Sequence, residues 1–271
     1  MIFVRDKGRM ANNMLQYAHL YAWAREHGRR TMSMRFAYKY QYFHICHTRH
    51  HNFITYVAAK FAARLGLIPT VSFNEPQTDT LLQEKQMLDS RWVVAEGWYA
   101  RWYDLVLKYK PEILQLFAFD SRVEQAAAQT LSQLPEADLT LGLHIRRGDY
   151  RTWQDGRFYF TDEQFIAAAK SFLAHKGGQR VRIVICGNDP TLDTRLYRQQ
   201  LAPATVDFPC GNAAEDLCLL SQCDYLMGPP STYSLVATMY HDVPLYWIHD
   251  PQKPVSDDCF QHFDQLFRNI L

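Results

Sequence analysis

The chain predicts an α/β fold built on parallel sheets. Strands alternate with helical stretches through the second half: Leu139–Ile145, Val181–Cys186, Thr205–Phe208, Asp224–Met227 and Val243–Ile248 each read as a strand before a helical pattern. Parallel pairing needs such crossovers. These strands are also nearly continuously apolar, as strands covered on both faces are. Polar turns follow several of them, at the strand ends where open parallel sheets place ligands.

The first half is less regular. Ile2–Arg5 reads as a short buried strand, followed by a polar turn, Asp6–Asn13, that contains Gly8. Met14–Glu26 then reads as an amphipathic helix, with Met14, Tyr17, Ala18, Tyr21 and Ala22 at helical spacing and Gly28 as its stop. A strand, a Gly/Asn turn and a helix start suit an anion, because the first-turn N–H groups lack helical partners. An ordinary connection in which Asn12 caps the helix reads equally well. Thr31–Phe36 is a candidate second strand, and Leu65–Pro76 a loop or short strand. Asp79–Leu88 looks helical, and Trp92–Tyr99 is a strand entering an aromatic turn. Tyr103–Lys110 is a short amphipathic segment, and Pro111 starts a helix with Ile113, Leu114, Phe117 and Phe119 on its apolar face. Asp120 and Ser121 can cap a helix running to Leu134. Pro135–Asp138 is the best boundary, giving domains 1–137 and 138–255 and a C-terminal helix, 256–271.

In the second half, Thr161–Glu163 opens a helix to Ala174, which Gly177 and Gly178 end. Gly187–Pro190 turns into a helix near Leu192–Gln199, and Ala213–Gln222 is the next. Gly228-Pro-Pro230 turns into Ser231–Tyr240, and Asp257–Ile270 reads as the last helix.

Composition narrows the function. A chain of 271 residues makes one large or two small domains with a sizeable core. Its 29 basic and 28 acidic side chains give no global pull on nucleic acid. The six cysteines form no Cys-x-x-Cys pair and are too few for a disulfide scaffold, so they read as reduced thiols of a cytoplasmic protein. Met1–Arg5 is too short for a signal-peptide core, and no apolar run reaches membrane-spanning length. From Arg29 to Asn74 there is no acid, while Arg29, Arg30, Arg35, Lys39, Arg49, Lys60 and Arg64 interleave with Tyr38, Tyr40, Tyr42 and Phe43. His44, Cys46, His47, His50 and His51 lie there too, but their spacing fits no standard zinc pattern. This basic, aromatic stretch reads as a face for an anionic acceptor or membrane headgroups, or as a plain solvated surface.

The chemistry concentrates after Ile145. His144, Arg146, Arg147 and Asp149 end the first strand of the second half, and two guanidiniums beside Gly148 suit a pyrophosphate. An Arg-Asp surface turn is the plain alternative. Asp189, after the next strand, can accept from the N1–H and N2–H of guanine or bond a ribose. Asp189-Pro190 is also a common turn. Ser231, Thr232 and Ser234 open a helix and offer hydroxyls and N–H groups to a phosphate, or merely cap it. Together they describe a nucleoside diphosphate site with neither a Walker lysine nor Gly-x-Gly-x-x-Gly. No Asp-x-Asp pair is there to hold Mg²⁺, so no metal is expected and arginine would balance the charge.

At these residues the chain resembles a family. His144-Ile-Arg-Arg-Gly-Asp-Tyr150 is similar to the His-x-Arg-Arg-x-Asp-Tyr motif of α-1,2-fucosyltransferases (glycosyltransferase family 11), relatives of the α-1,6- and protein O-fucosyltransferases. Gly8-Arg-Met-Ala-Asn-Asn-Met-Leu-Gln-Tyr-Ala18 resembles the family's N-terminal Gly-x-x-Gly-Asn-Gln segment. Glu96-Gly-Trp-Tyr99 through Phe117-Ala-Phe119, and Glu215-Asp-Leu through Ser231-Thr-Tyr-Ser234, match further segments in the right order.

The resemblance implies a GT-B-type fold, two Rossmann-like halves facing a cleft, and inverting, metal-independent transfer of L-fucose from GDP-β-L-fucose without any cofactor. It places Arg146 on the β-phosphate with Ser231, Thr232 and Ser234 beside it, and His144 and Asp189 at the guanosine. Asn12 would reach in from the N-terminal half, while Arg147 and Asp149 brace the loop. Asp155 lies where α-1,6 relatives carry a Glu, and could take the acceptor's proton. Departures are Ala11 and Asn13 for Gly and Gln, Gly187-Asn-Asp189 for a Ser-Asp-Asp turn, and no Trp-Trp after Ser231-Thr-Tyr-Ser234. The acceptor implied is a glycan, a β-galactoside or a lipid-linked oligosaccharide, with α-1,2 linkage to galactose expected. Residues 29–74 would make any peripheral contact with the inner membrane. A transferase for another GDP-sugar, or a non-catalytic glycan- or nucleotide-binding protein, are the alternatives.

Overall fold

The computed structural model describes residues 1–76 and 79–270. By contacts the chain divides into two units, Met1–Asp120 and Ser121–Leu271. The sequence reading puts the boundary near 137/138; the helix before it packs instead with the second unit.

The first unit holds β1 (Ile2–Arg5), α1 (Met10–Glu26), β2 (Thr31–Ser33), α2 (Phe53–Arg64), β3 (Thr70–Ser72), α3 (Leu81–Asp89), β4 (Val93–Glu96), α4 (Tyr103–Lys108) and α5 (Lys110–Leu116). Its strands pair in parallel in the order β2-β1-β4-β3. Two expectations fail here. Helix α1 begins at Met10, not Met14, so Asn12 sits inside its first turn while Arg9 is the N-cap. Nor is α1 amphipathic: thirteen of its seventeen residues are buried, Asn13, Gln16 and His19 among them. Gln16 satisfies itself locally, donating from Nε2 to the carbonyls of Lys7 at 2.6 Å and Asn12 at 3.0 Å. His19 Nδ1 accepts from the Trp102 main-chain N–H at 3.0 Å. Helix α2 falls where no helix was read. Asn52 caps it, its Oδ1 accepting from Thr55 N at 2.9 Å.

The second unit holds α6 (Ser121–Gln133), β5 (Leu139–Ile145), α7 (Asp162–His175), β6 (Val181–Gly187), α8 (Thr194–Gln200), β7 (Thr205–Asp207), α9 (Ala213–Leu220), β8 (Tyr225–Gly228), α10 (Thr232–His241), β9 (Leu245–Trp247) and α11 (Phe263–Leu266). All pairings are parallel, in the order β7-β6-β5-β8-β9. Alternating crossovers from a central first strand give this order, and the direction of winding reverses between β5 and β8. The last helix expected over Asp257–Ile270 is broken into short turns around the four residues of α11. Leu141, Leu143 and Ile145 of β5 pack with Phe165, Ala169 and Phe172 of α7 and Ile183 and Ile185 of β6. Each such large side chain contributes about 1.5–3 kcal/mol when fully buried.

Candidate functional site

The switch between β5 and β8 is where an open parallel sheet splits its crossovers and leaves a crevice at the strand ends. Here the strand ends approach closely. A Cβ at Gly228 would stand 2.6 Å from the His144 carbonyl oxygen, so only glycine fits. The loop after β5 and the turn after β8 are joined again by Tyr150, whose hydroxyl donates to the Pro230 carbonyl at 2.5 Å.

Arg146 and Arg147 are adjacent but differently employed. Arg147 is buried and anchored. Its Nε donates to Phe160 O at 3.0 Å, Nη2 to Asp162 Oδ1 at 2.5 Å and Nη1 to Asp189 Oδ2 at 3.2 Å. Its main-chain N–H donates to Asn188 Oδ1 at 3.1 Å. Arg146 reaches Asp149 Oδ2 at 2.8 Å through Nη2, and its guanidinium lies 5.4 Å from the Tyr150 ring centre. The Arg146 side chain is 15% exposed and that of Asp149 52%. Arg146 Nε is buried and has no partner among the described residues.

His144 is buried, and its ring lies 5.0 Å from that of Tyr233. Burial, then the Arg146 charge, holds its imidazole down to about 3, so it is neutral near pH 7. Its Nδ1 is buried without a partner among the described residues.

Across the switch, Ser231 is the N-cap of α10 and accepts from Tyr233 N at 3.2 Å. Thr232 is the first residue of that helix, whose N-terminal N–H groups attract anions. Ser234 is fully buried: it donates to Ser231 O at 3.1 Å and accepts from Trp247 Nε1 at 3.3 Å. It supports the turn rather than lining an open surface.

Asp189 is already engaged. Its Oδ1 accepts from Thr191 N at 2.9 Å and Thr191 Oγ1 at 2.6 Å, while Oδ2 holds Arg147. The Thr191 hydroxyl, opposed by burial and aided by Arg147, holds its carboxyl below the ordinary range. In the second unit, Asp216, in the first turn of α9, is a carboxylate with an open oxygen. Its Oδ1 is buried with no partner among the described residues. Burial, with Glu215 next to it, pushes its carboxyl up to about 7. Its charge also raises the Tyr233 hydroxyl, after burial, and the Tyr233 ring neighbours that of His144. A small cavity of about 30 Å³ opens beside Asp216, lined by Thr130, Pro209, Gly211 and Glu215 among others. In the sequence Asp216 stands out only within the Glu215-Asp-Leu segment, with no role assigned to it; two acids in a first helical turn also suit dipole and capping duties, which Glu215 performs: its carboxylate accepts from Asn212 N at 2.9 Å.

Two further expected site residues are Asn12 and Asp155. Asn12 belongs to the first unit, where Gly8, at φ +92°, leaves room for its amide: a Cβ at Gly8 would stand 2.8 Å from Asn12 Nδ2. Asp155 sits on an exposed turn at φ +56°, a backbone conformation sparsely used by non-glycine residues. Of the histidine-rich segment, His51 is committed to the fold, its Nε2 accepting from Ser33 N at 2.9 Å. Among the described residues no cluster of three or more His, Cys, Asp or Glu is placed to hold a metal ion.

No family model and no curated relative matches the chain by sequence. Solved structures do match. The chain is similar to a mutant of Arabidopsis thaliana FUT1 in complex with GDP, at TM-score 0.62 and 12% identity, covering 96% of this chain and 73% of that one. It is similar to NodZ α-1,6-fucosyltransferase soaked with GDP-fucose, at TM-score 0.55 and 12% identity, covering 96% and 98%. It is also similar to POFUT1 in complex with GDP-fucose, at TM-score 0.55 and 11% identity, covering 89% and 93%. At such identities the likeness is one of fold, and it establishes the α/β, GT-B-type architecture with parallel sheets.

Proposed function

We propose that the chain is a fucosyltransferase that takes L-fucose from GDP-β-L-fucose, with inversion and without a metal ion, and delivers it to a glycan hydroxyl. The observation that carries this reading is the pair formed by Arg146, with an unpartnered buried Nε, and the N-terminus of α10, on either side of the switch between β5 and β8. Solved structures of this fold, FUT1 with GDP, POFUT1 with GDP-fucose and NodZ α-1,6-fucosyltransferase with GDP-fucose, support the donor.

In this reading the β-phosphate sits on Arg146, the Ser231 and Thr232 hydroxyls and the first N–H groups of α10. Charge grows there as the sugar leaves, so these groups stabilise the departing GDP. Asp149, half-exposed, gives up its Arg146 contact to the phosphate. Arg147 keeps the loop in place through Asp162 and Asp189. Guanine is read by Asp216, which accepts from N1–H and N2–H, with neutral His144 beside it. Asp189, engaged on both oxygens, serves as a brace. Asp155 takes the acceptor's proton. The finer reading is α-1,2 linkage to galactose, which rests on the motif resemblance at His144–Tyr150.

The test is turnover in EDTA with GDP-fucose, GDP-mannose and a panel of β-galactosides, followed by linkage analysis. An α-1,2-fucosylated product from GDP-fucose alone supports the reading. Transfer from another GDP-sugar, or nucleotide binding with no product, favours the other GDP-sugar enzyme or the non-catalytic binder.

A further inference from the structure

Helix α2 is built inside out. It packs on the first sheet through small residues and one ring: Tyr56, Ala59, Ala62 and Ala63 meet Met32, Met34, Ile68 and Val94. Its large apolar residues face solvent. Phe53 is 61% exposed, Ile54 81%, Phe61 53%, Leu65 70% and Leu67 73%. Phe53, Phe61 and Leu65 recur at multiples of four residues, with Ile54 one position on, so they form one stripe along the helix. Arg49, Lys60 and Arg64 are exposed on the helix or just before it, and no acidic side chain occurs anywhere from Arg29 to Asn74. The Asn52 cap keeps Phe53 and Ile54 in helical geometry, so the stripe is preformed.

We propose that α2 and the Leu65–Leu67 loop form an interfacial docking surface for an anionic lipid bilayer. A helix lying in the membrane plane needs an apolar face to insert and cations beside it for the headgroups. Both are present, and the stretch Arg29–Asn74 that carries them holds no acid. A second copy of the chain is a poorer partner, because a face-to-face pair would oppose Arg49, Lys60 and Arg64 with their own kind. Among the described residues no helix is long and apolar enough to cross a membrane, so the contact is peripheral. The assignment is independent of the donor chemistry.

The test is sedimentation of the full chain with phosphatidylcholine vesicles, with and without phosphatidylglycerol. Wild type should bind the anionic vesicles at least about tenfold better than neutral ones, and salt should weaken that preference. Ile54→Ser with Phe61→Ser should lose binding to both, while Arg49→Gln, Lys60→Gln and Arg64→Gln together should lose only the anionic preference. These side chains are exposed, so melting curves should match wild type and show that folding is intact. Ile54→Trp should add an emission that anionic vesicles shift to the blue. Absent vesicle binding by wild type, or binding that neither variant changes, overturns the proposal. So does a lipid-free dimer that the Ile54→Ser, Phe61→Ser variant dissociates, which would assign the stripe to a second copy. Binding to acidic polypeptide as tight as to anionic vesicles would assign it to a protein.

Discussion

The Tyr150 hydroxyl donates to the Pro230 carbonyl oxygen at 2.5 Å. This bond ties the loop that carries Arg146 to the turn that carries Ser231. Trp153 holds the tyrosine ring from one side, at 4.7 Å between centroids. Tyr150→Phe keeps the ring and strands a buried carbonyl, which costs about 1–3 kcal/mol. Thermal melting should show the loss, and donor KM should rise several-fold as the two phosphate-binding segments loosen. A variant equal to wild type in both would disconnect this bond from the site.

The neighbouring arginines should separate cleanly. Arg147→Ala leaves Asp162 and Asp189, 18% and 13% exposed at the side chain, without their cation. Breaking a buried pair this way costs on the order of 3–5 kcal/mol, so denaturant midpoints should fall sharply. Arg146→Lys should melt like wild type but lose turnover by roughly 100-fold or more, since a point charge does not replace a planar fork on a phosphate. The opposite pattern would exchange their roles.

In the proposed donor site, Asp216 brings a pH dependence. Its carboxyl stands at about 7 in the free protein, and guanine N–H donors favour the ionised form. Binding therefore releases a proton, and donor KM should fall as pH rises from near 6 to near 8. His144, held down to about 3, does not titrate in that window, and the raised Tyr233 hydroxyl does not either. Glu215 adds its charge to the burial that lifts Asp216. Asp216→Asn should bind GDP more weakly and flatten the profile. A KM profile unchanged by the substitution would return guanine recognition to another residue.

Much of the second unit was legible before the structure. The apolar run Leu139–Ile145 matches β5 residue for residue, because a strand buried on both faces leaves a continuous signal. The loop residues after it were read as a group, yet the division of labour between Arg146 and Arg147 was not legible. It depends on Asp162 and Asp189 arriving from α7 and the loop after β6. Asp216 was hidden for the same reason: its burial is a tertiary fact, and its first-turn position had a sufficient local explanation. In the first unit, polar residues misled. Ala11-Asn12-Asn13 looked like a turn and is the first turn of a helix buried on nearly every side. Helix α2 went unread because its buried face is alanine and its exposed face is apolar, the reverse of the usual pattern.

Stability should carry its own pH signature. Asp6 is buried, and burial lifts its carboxyl to about 7 against the lowering hydrogen bond from Ser33. Between its ordinary value of 3.8 and about 7 the folded chain keeps a proton that the unfolded chain has lost, so stability falls as pH rises through that range. The effect is on the order of a few kcal/mol at full ionisation. Asp6→Asn should raise the unfolding midpoint near pH 8 and gain less near pH 5. Asp216 acts in the same direction, so the variant should keep part of the slope. An equal change at both pH values would mean that Asp6 titrates normally.

The central claim is that Arg146 and the start of α10 hold the β-phosphate of a guanosine diphosphate without a metal. Calorimetric titration of GDP and GMP in EDTA, into wild type and Arg146→Ala, tests it most directly, because the two nucleotides differ only at that phosphate. Wild type should bind GDP at least about tenfold more tightly than GMP, as charge-assisted phosphate contacts warrant, and in Arg146→Ala that preference should shrink several-fold, the start of α10 keeping the remainder. Equal binding of GDP and GMP by wild type, or a preference for GDP that is undiminished in Arg146→Ala, would contradict the account.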